Sequence, residues 1–200
     1  MNDCKIYDIS QEVFGCEVYP SDPEPRRNIL SAISDGELYN LTAFSMCAHN
    51  GTHIDAPYHF INDGKTVDQV PLSATVGFAV VVECDGIIDA KMAQEILNNA
   101  TRVSPEGAKR LLLKGNCTVS DEAAITLANA EILLLGTESQ SVGPLDAPMA
   151  AHLALLSKGV ILLEGLRLAH VPADAYFLSA APLLLAGADG APCRAILIKF

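Results

Sequence analysis

The sequence predicts one α/β domain, and three observations lead to this prediction. Segments that favour strands alternate with segments that favour helices over the second half of the chain, the pattern of a mixed α/β fold. A valine-rich run at 76–82 has the length and composition of a strand buried on both faces. The 200 residues are 50% hydrophobic and 18% charged, which excludes intrinsic disorder and suffices for one sizeable core. We therefore expect residues 1–200 to form a single domain.

Short strands and loops are predicted for the first half of the chain. Lys5–Ile9 is predicted as a strand, and the proline-rich segment 19–25 as an irregular loop, because proline cannot continue a strand ladder. Residues 45–54 look extended and rich in small side chains, and Asn62-Asp63-Gly64 is a turn signal. The valine-rich strand at 76–82 follows.

Helices and strands alternate in the second half. Asp89 can cap a helix that ends near Asn98-Asn99, because its carboxylate can accept hydrogen bonds from the free amides of the first turn. Ser120 can cap a second helix that runs to Ala130. The other predicted elements are a strand at 110–113, a strand at 131–136, a helix at 148–157, a strand at 160–163 and a closing strand at 194–198.

Charge and hydropathy exclude several classes of partner. Thirteen basic and 24 acidic residues give a net charge of −11, which repels nucleic-acid phosphates and anionic lipid headgroups. The most apolar runs are far shorter than the ~20 residues of a membrane-spanning helix. The amino terminus carries Asp3 where a secretory signal needs basic residues. We therefore expect a cytoplasmic protein that binds neither nucleic acid nor membranes.

Motifs for several other chemistries are absent from the sequence. The six cysteines form no Cys-x-x-Cys pair, so neither a zinc ribbon nor a thioredoxin-type site is predicted, and buried reduced thiols are expected. The chain contains no G-x-S-x-G elbow, P-loop or G-x-G-x-x-G motif. Cys47 could pair with His49, but a small buried neighbour is the simpler interpretation.

The segment His49–His59 concentrates side chains that bind metals. Three of the five histidines of the chain and one aspartate lie within these eleven residues. His53 and Asp55 project to the same face if the backbone is extended, and Gly51 allows the chain to fold so that His49 reaches the same centre. Imidazole and carboxylate are ligands of zinc and manganese. The spacing indicates a metal site, and the alternative is a polar loop in which histidines cluster by chance.

Two further residues are weaker candidates for the same centre. His152 lies in the predicted helix at 148–157, and Glu164 follows the apolar strand at 160–163. A buried carboxylate needs a partner, and a metal ion would be one. Taken alone, Glu164 could equally be a solvated strand end and His152 a residue of the helix surface. His170 is interpreted as structural.

The run HNGTHIDAPYHF at 49–60 resembles the H-x-G-T-H-x-D-x-P-x-H-F signature of the cyclase-like metal-dependent hydrolases, the superfamily that includes bacterial kynurenine formamidase. The resemblance covers nearly the whole chain. Its further matching segments are Asp8-Ile9-Ser10, Tyr19-Pro20-Ser21-Asp22-Pro23, residues 136–142, His152 with Leu155-Leu156, Glu164-Gly165-Leu166, Ala181-Pro182-Leu183 and residues 190–195.

The resemblance implies a swivelling β/β/α fold, usually dimeric, that binds one or two divalent metals, zinc or manganese. We therefore expect a homodimer or a higher homo-oligomer. His59 matches the general acid/base of the family, and Tyr19 matches the aromatic residue that contacts substrate. The positions implied for the first metal are His49, His53 and Asp55, and those for the second are a bridging Asp55, His152 and Glu164.

Four residues depart from the family pattern as this resemblance gives it. They are Tyr19 for Trp, Ser21 for Gly, Glu138 for Asp and Gly165 for Asn. None of the four is an implied metal ligand. The departures therefore bear on the substrate pocket and leave the implied metal site complete.

The chemistry expected from the resemblance is hydrolysis of an amide by metal-activated water. The expected substrate is N-formylkynurenine, cleaved to kynurenine and formate, with His59 donating a proton to the departing nitrogen. One alternative is a related hydrolase of a cyclic amide, imide or lactone of the isatin type. Another is a non-catalytic metal-binding protein, which His59 argues against because a storage site has no use for a proton-transfer group.

Overall fold

A mixed sheet of nine strands runs through the part of the protein that the structure, a computed structural model, describes, residues 4–200. Asp3, the acidic residue that disfavours a secretory signal, lies outside the described residues. In chain order the strands are β1 (Lys5–Asp8), β2 (Arg26–Ser31), β3 (Leu41–Ser45), β4 (His53–Asp55), β5 (Val76–Glu83), β6 (Gly86–Ile88), β7 (Arg110–Lys114), β8 (Cys117–Val119), β9 (Leu134–Thr137), β10 (Ile161–Glu164), β11 (Ala175–Ser179), β12 (Gly190–Pro192) and β13 (Ile196–Lys199). The helices are α1 (Leu72–Thr75), α2 (Ala90–Val103), α3 (Asp121–Ala128) and α4 (Met149–Leu156).

The strand order of the large sheet is β1-β13-β11-β5-β7-β9-β10-β4-β12. The central strands β5, β7, β9 and β10 are parallel, and the strands outside them pair antiparallel. Two pairs of strands form small separate sheets, β2 with β3 and β6 with β8. Continuous apolar runs are typical of parallel strands covered on both faces, which agrees with the strand predicted at 76–82. The run at 110–113 fits a strand or a helix by itself, and the flanking Gly107 and Gly115 favour the strand that is observed as β7.

Two hydrophobic clusters cover the two faces of the sheet. Successive residues of a strand point to opposite faces, so Leu111 and Leu113 of β7 pack with the helices while Leu112 packs into the second cluster. The first cluster also contains residues of α2, α3 and α4, which lie together on one face. This arrangement confirms the predicted α/β class.

The predicted helix caps are confirmed, and the helix ends differ by a few residues. The Asp89 side chain accepts a hydrogen bond from the Met92 amide, and the Ser120 hydroxyl accepts one from the Ala123 amide. Helix α2 continues to Val103 instead of ending near Asn98-Asn99, because Ala100 is fully buried and packing outweighs the weak helix propensity of asparagine. Helix α3 ends two residues before the predicted end.

The segment 45–54 is a turn rather than an extended strand over most of its length. The Asn50 side chain accepts a hydrogen bond from the Cys47 amide, and the Asn50 amide donates to the Cys47 carbonyl, so these residues close a turn. Gly51 follows with a φ of +69°, which favours glycine. Within this segment only Ser45, the last residue of β3, and the first two residues of β4 are in strands, and β4 contains both His53 and Asp55.

Four other predictions about strands, turns and loops can be compared with the structure. The proline-rich segment 19–25 is a loop, as predicted, and the turn at 62–64 is present. Strand β9 begins three residues later than predicted, and β13 begins two residues later. Within residues 4–200, no helix combines the length and apolar character needed to cross a bilayer.

Candidate metal centre

Five side chains meet where β4 lies between β10 and β12. Strand β4 pairs antiparallel with both neighbours, and His53 lies opposite Glu164 in the register with β10. Helix α4 adds a residue from its buried face, and the turn before β4 adds another. The five are His49, His53, Asp55, His152 and Glu164, the set that the sequence analysis singled out.

Asp55 lies at the centre of the five side chains. His49 Nδ1 is 2.9 Å from Asp55 Oδ1, and His53 Nε2 is 3.3 Å from the same oxygen. His152 Nε2 is 3.7 Å from Asp55 Oδ2. Glu164 closes the group, because its Oε1 is 3.4 Å from His152 Nε2 and its Oε2 is 3.6 Å from His53 Nε2.

The residues fit a divalent cation. His53, Asp55, His152 and Glu164 are each at most 3% exposed, and buried charges are paired or bind metals. Within residues 4–200, His53 Nε2 and Asp55 Oδ2 have no hydrogen-bond partner. Ligand atoms of His53, Asp55 and Glu164 all lie within 4.8 Å of one another. A cation placed among these atoms would satisfy both orphaned atoms and offset the two carboxylate charges.

Backbone carbonyls fix which nitrogen of two histidines faces the centre. The Gly51 carbonyl accepts a hydrogen bond from His53 Nδ1 at 2.9 Å, and the Pro148 carbonyl accepts one from His152 Nδ1 at 2.8 Å. Because a carbonyl can only accept, the proton of each neutral ring lies on Nδ1, and Nε2 keeps a free lone pair directed at the carboxylates. This is the tautomer that metal binding requires.

His59 lies at the end of a 3-10 turn, Pro57–His59, beside the five side chains. Its ring stacks on that of His49 with the centroids 4.0 Å apart, and its side chain is partly exposed to a cavity of about 340 Å³. Tyr19 and Phe60 form part of the cavity wall. The Tyr19 hydroxyl donates a hydrogen bond to the Leu145 carbonyl, so the ring of Tyr19 is fixed in this position.

Three residues at the site were not identified from the sequence. Asp189 Oδ2 is 2.8 Å from His49 Nε2 and 3.3 Å from His59 Nδ1. Gln140 Nε2 and Ser141 Oγ are buried at the cavity wall without a hydrogen-bond partner in the described part of the chain. The sequence offered a signal for Gln140 and Ser141, because residues 136–142 form one of the matching segments, but nothing in that segment connected them to the histidines. Asp189 lies one residue before the matching segment 190–195 and offered no such signal.

Two opposing effects set the pKa values of the histidine and aspartate side chains at the site. Burial disfavours their charged forms, and the hydrogen bonds between them favour those forms. Burial lowers the pKa of His49, but hydrogen bonds to Asp189 and Asp55 outweigh it and raise that pKa to about 9. Burial raises the pKa of Asp55, but the hydrogen bond from His49 and the electrostatic attraction of His53 hold it well below its usual value. The hydrogen bond from His49 lowers the pKa of Asp189 to about 2. Asp55 and Asp189 are therefore ionised at neutral pH, and an incoming cation must displace protons from the histidines.

The pKa of His59 shifts in the other direction from that of His49. Burial lowers it below the usual value of 6.5 and outweighs the attraction of Asp55 and Asp189. His59 is therefore mainly neutral at pH 7 and can accept a proton.

Cys47 is not placed to act as a nucleophile with His49. Its Sγ lies 3.7 Å from Asp22 Oδ2, and burial raises the pKa of the thiol, which keeps it protonated. The simpler interpretation, a small neighbour of the site, fits this position.

Three of the four departures from the family pattern have visible effects on local structure. Ser21 has a φ of +77°, a left-handed conformation that costs a residue other than glycine roughly 1 kcal/mol. Glu138 accepts hydrogen bonds from the Gly115 and Leu168 amides and so links two loops. Gly165 also has a positive φ, and a Cβ at this position would overlap the Gly51 carbonyl.

Comparisons with known proteins agree on one family. The Cyclase family model, described as "Putative cyclase", matches residues 7–144. The kynurenine formamidase of Salinibacter ruber (strain DSM 13855 / M31) is 36% identical over 221 aligned positions that cover 96% of each chain. A solved structure described as a potential metal-dependent hydrolase with cyclase activity superposes with a TM-score of 0.79 at 29% identity, over 98% of each chain. Isatin hydrolase A from Labrenzia aggregata shares the fold, with a TM-score of 0.83 at 24% identity over 98% of this chain and 93% of that one. This chain belongs to the Cyclase family.

Proposed function

We propose that the protein is a metal-dependent hydrolase that cleaves the carbon–nitrogen bond of N-formylkynurenine, giving kynurenine and formate. The observation that carries the proposal is the cluster of three histidines and two carboxylates beside His59, four of which are buried and four of which line one cavity. The formamidase of Salinibacter ruber, 36% identical over almost the whole chain, supports the choice of substrate.

The cluster supplies two sets of ligands. When bound, a zinc or manganese ion supplies a Lewis acid that lowers the pKa of water and polarises the amide carbonyl. The first set is His49, His53 and Asp55, and the second is Asp55, His152 and Glu164.

His59 moves the proton of the reaction. Its Nδ1 faces Asp189, which leaves Nε2 to exchange a proton with water or substrate. Since His59 is neutral at pH 7, it takes the proton from the attacking water as the new carbon–oxygen bond forms. It then donates this proton to the aniline nitrogen as the carbon–nitrogen bond breaks. An aniline nitrogen leaves poorly unless it is protonated.

The cavity wall supports an aromatic formamide as substrate. Tyr19 and Phe60 offer ring faces for the aryl group. Gln140 Nε2 and Ser141 Oγ offer two unused polar atoms that can bind the substrate carbonyl or carboxylate. We propose that these four residues determine which amide is accepted.

Removal and restoration of the metal test the proposed function directly. Dialysis against a chelator is expected to reduce hydrolysis of N-formylkynurenine to background, and zinc or manganese added back is expected to restore it. Elemental analysis before and after dialysis gives the number of ions per chain and decides between one and two.

Isatin serves as the comparison substrate in the same assay. The same ligands and proton donor can open a cyclic amide, imide or lactone, so faster turnover of isatin would favour that alternative. Bound metal with no turnover of either substrate would contradict the proposed activity and favour a non-catalytic metal-binding protein.

We further propose a homodimer formed through the hairpin of β2 and β3. This two-stranded sheet exposes large hydrophobic side chains, and an isolated hairpin is marginally stable in water. A second copy of the chain would cover them, as the usual dimeric state of the resembled family implies. The exposed residues of the hairpin are Ile29, Leu30, Ile33, Leu38, Tyr39, Leu41 and Phe44.

Substitutions in the hairpin are expected to separate the two protomers. Light scattering after gel filtration should give twice the chain mass of 21.2 kDa for the wild type and a single chain mass for the double variant Leu38→Asp, Phe44→Asp. Leu184→Asp is the control, because Leu184 is 84% exposed outside the hairpin, and it should stay dimeric. A monomeric wild-type protein would exclude this proposal.

The remaining proposals concern location and organisation. We propose a cytoplasmic location, because all six cysteines are free thiols and that compartment keeps thiols reduced. We also propose that residues 1–200 form a single domain.

A further inference from the structure

We propose that Asp189 is a positioning residue that orients two functional histidines with one carboxylate oxygen. It would fix the ring of His49, an implied metal ligand, and the ring of His59, the proposed proton-transfer group. The role toward His59 rests on the proposed function, because it matters only if His59 transfers a proton. The role toward His49 does not depend on that reaction, because it can be tested by metal affinity alone.

The geometry joins three side chains at one atom. Asp189 Oδ2 is 2.8 Å from His49 Nε2 and 3.3 Å from His59 Nδ1. The two imidazole planes are 28° apart and stacked at 4.0 Å, so both rings present an edge to the same oxygen. A carboxylate that accepts a hydrogen bond from a histidine fixes the tautomer and the orientation of that ring.

This contact determines which atom of His49 faces the proposed ions. Because Nε2 is held by Asp189, Nδ1 is turned toward Asp55 Oδ1 at 2.9 Å. His49 would therefore bind a cation through Nδ1, whereas His53 and His152 present Nε2. A ring with the opposite orientation would place Nε2 at the centre and lose the hydrogen bond to Asp189.

The backbone around Asp189 is fixed to the same strands as the site. The Asp189 carbonyl accepts a hydrogen bond from the Ala56 amide, immediately after β4. Gly190, the next residue, begins β12 opposite Asp55. A Cβ on Gly190 would lie 2.8 Å from His49 Cε1, so the chain passes directly against the imidazole. The backbone hydrogen bonds between β4 and β12 therefore fix the positions of Asp189 and Asp55 relative to each other, and His49 lies between the two carboxylates.

Two other roles for Asp189 are less consistent with this geometry. A role as a metal ligand is one of them. Among the described residues, two groups bring their ligand atoms close enough to hold a cation: His49, Asp55 and His59, and His53, Asp55 and Glu164. Asp189 belongs to neither of these two groups. A purely stabilising ion pair is also a weak explanation, because the Asp189 side chain is 42% exposed and such pairs contribute little to stability. The orientation of the two rings is the role that accounts for both contacts.

Two variants and a control test the proposal through metal affinity and kinetics. Zinc affinity is measured by competition with a chromogenic chelator, and kcat and KM are measured with N-formylkynurenine. Asp189→Ala is expected to weaken zinc binding roughly 10- to 100-fold, the usual effect of losing a partner of a metal ligand. It is also expected to lower kcat about tenfold to a hundredfold, since small displacements of reacting groups are costly, with KM within about twofold of the wild type.

Asp189→Asn tests the same role with a side chain of the same shape. Its amide oxygen can take the place of Oδ2 and accept both hydrogen bonds, but these bonds are weaker without the carboxylate charge, so zinc affinity and kcat should fall between those of the wild type and Asp189→Ala. If Asp189→Ala does not fold, this variant decides the question. The control Asp121→Ala removes the same charge from an exposed position at the start of α3 and should match the wild type.

Each remaining outcome has a definite meaning. Wild-type zinc affinity and kcat in both Asp189 variants would overturn the proposal. An increase in KM alone would also overturn it, because that result indicates contact with the substrate. If the wild type fails to hydrolyse N-formylkynurenine but Asp189→Ala still weakens zinc binding, the proposed function fails and the role toward His49 stands.

Discussion

Replacing His59 with alanine is expected to lower kcat for N-formylkynurenine by roughly 10²- to 10⁴-fold, the usual contribution of a general acid/base. The bound metal should stay near the wild-type content, because the five side chains of the cluster keep their contacts with one another without this ring. The reason for the loss is that the aniline nitrogen then departs without a proton donor. Steady-state kinetics and elemental analysis on the same preparation measure both quantities.

The control for this experiment is His170→Ala. His170 is exposed and packs against the ring of Tyr7, so the same substitution there should leave turnover unchanged. A large loss of metal from His59→Ala would show that His59 is a ligand instead. That outcome has a structural basis, since His49, Asp55 and His59 also bring ligand atoms within 4.8 Å of one another.

Replacing Glu164 with glutamine is expected to lower metal binding and activity together. The side chain keeps its shape, and its amide oxygen can still accept the hydrogen bond that the Val142 amide donates to Oε1. It loses the negative charge that faces His53 and His152 at 3.6 and 3.4 Å. We expect metal affinity to fall by about 100-fold or more. The loss of a ligand should cost at least as much as the loss of a residue that only hydrogen-bonds to a ligand.

The number of metal ions bound per chain gives a second test of the role of Glu164. If the wild type holds two ions per chain, Glu164→Gln should hold one, since His49, His53 and Asp55 are unchanged. The control Glu122→Gln lies in the exposed first turn of α3 and should retain both. Full retention of metal by Glu164→Gln would remove this residue from the proposed site.

Local signals explain how much of the fold could be predicted from the sequence. The caps at Asp89 and Ser120, the apolar run of β5 and the glycines that flank β7 are signals carried by neighbouring residues, and the four elements that they predict are present. The turn at 48–52 was missed because it is closed by the side chain of Asn50, a contact that hydrophobic periodicity does not report. Helix α2 continued past two asparagines because Ala100 packs against other parts of the chain.

The candidate site shows the same division between local and distant contacts. His49, His53 and Asp55 could be grouped from spacing alone, because they lie within one short segment. Nothing local connects Glu164 to that segment, and only the resemblance to a family placed it there. Asp189 is 140 positions from His49, and its acidic side chain in a loop carries no pattern of its own, so only the structure brings it to the histidines.

The placement of β4 between β10 and β12 links metal supply to the amount of folded protein. The proposed ligands come from separate segments between residues 49 and 164, so the complete set is assembled only in the native chain. An ion that binds only the folded form adds its binding free energy to the free energy of unfolding, about 2.7 kcal/mol at a free concentration one hundred times Kd. A cell short of the ion would therefore lose this protein to proteolysis as well as to inactivity.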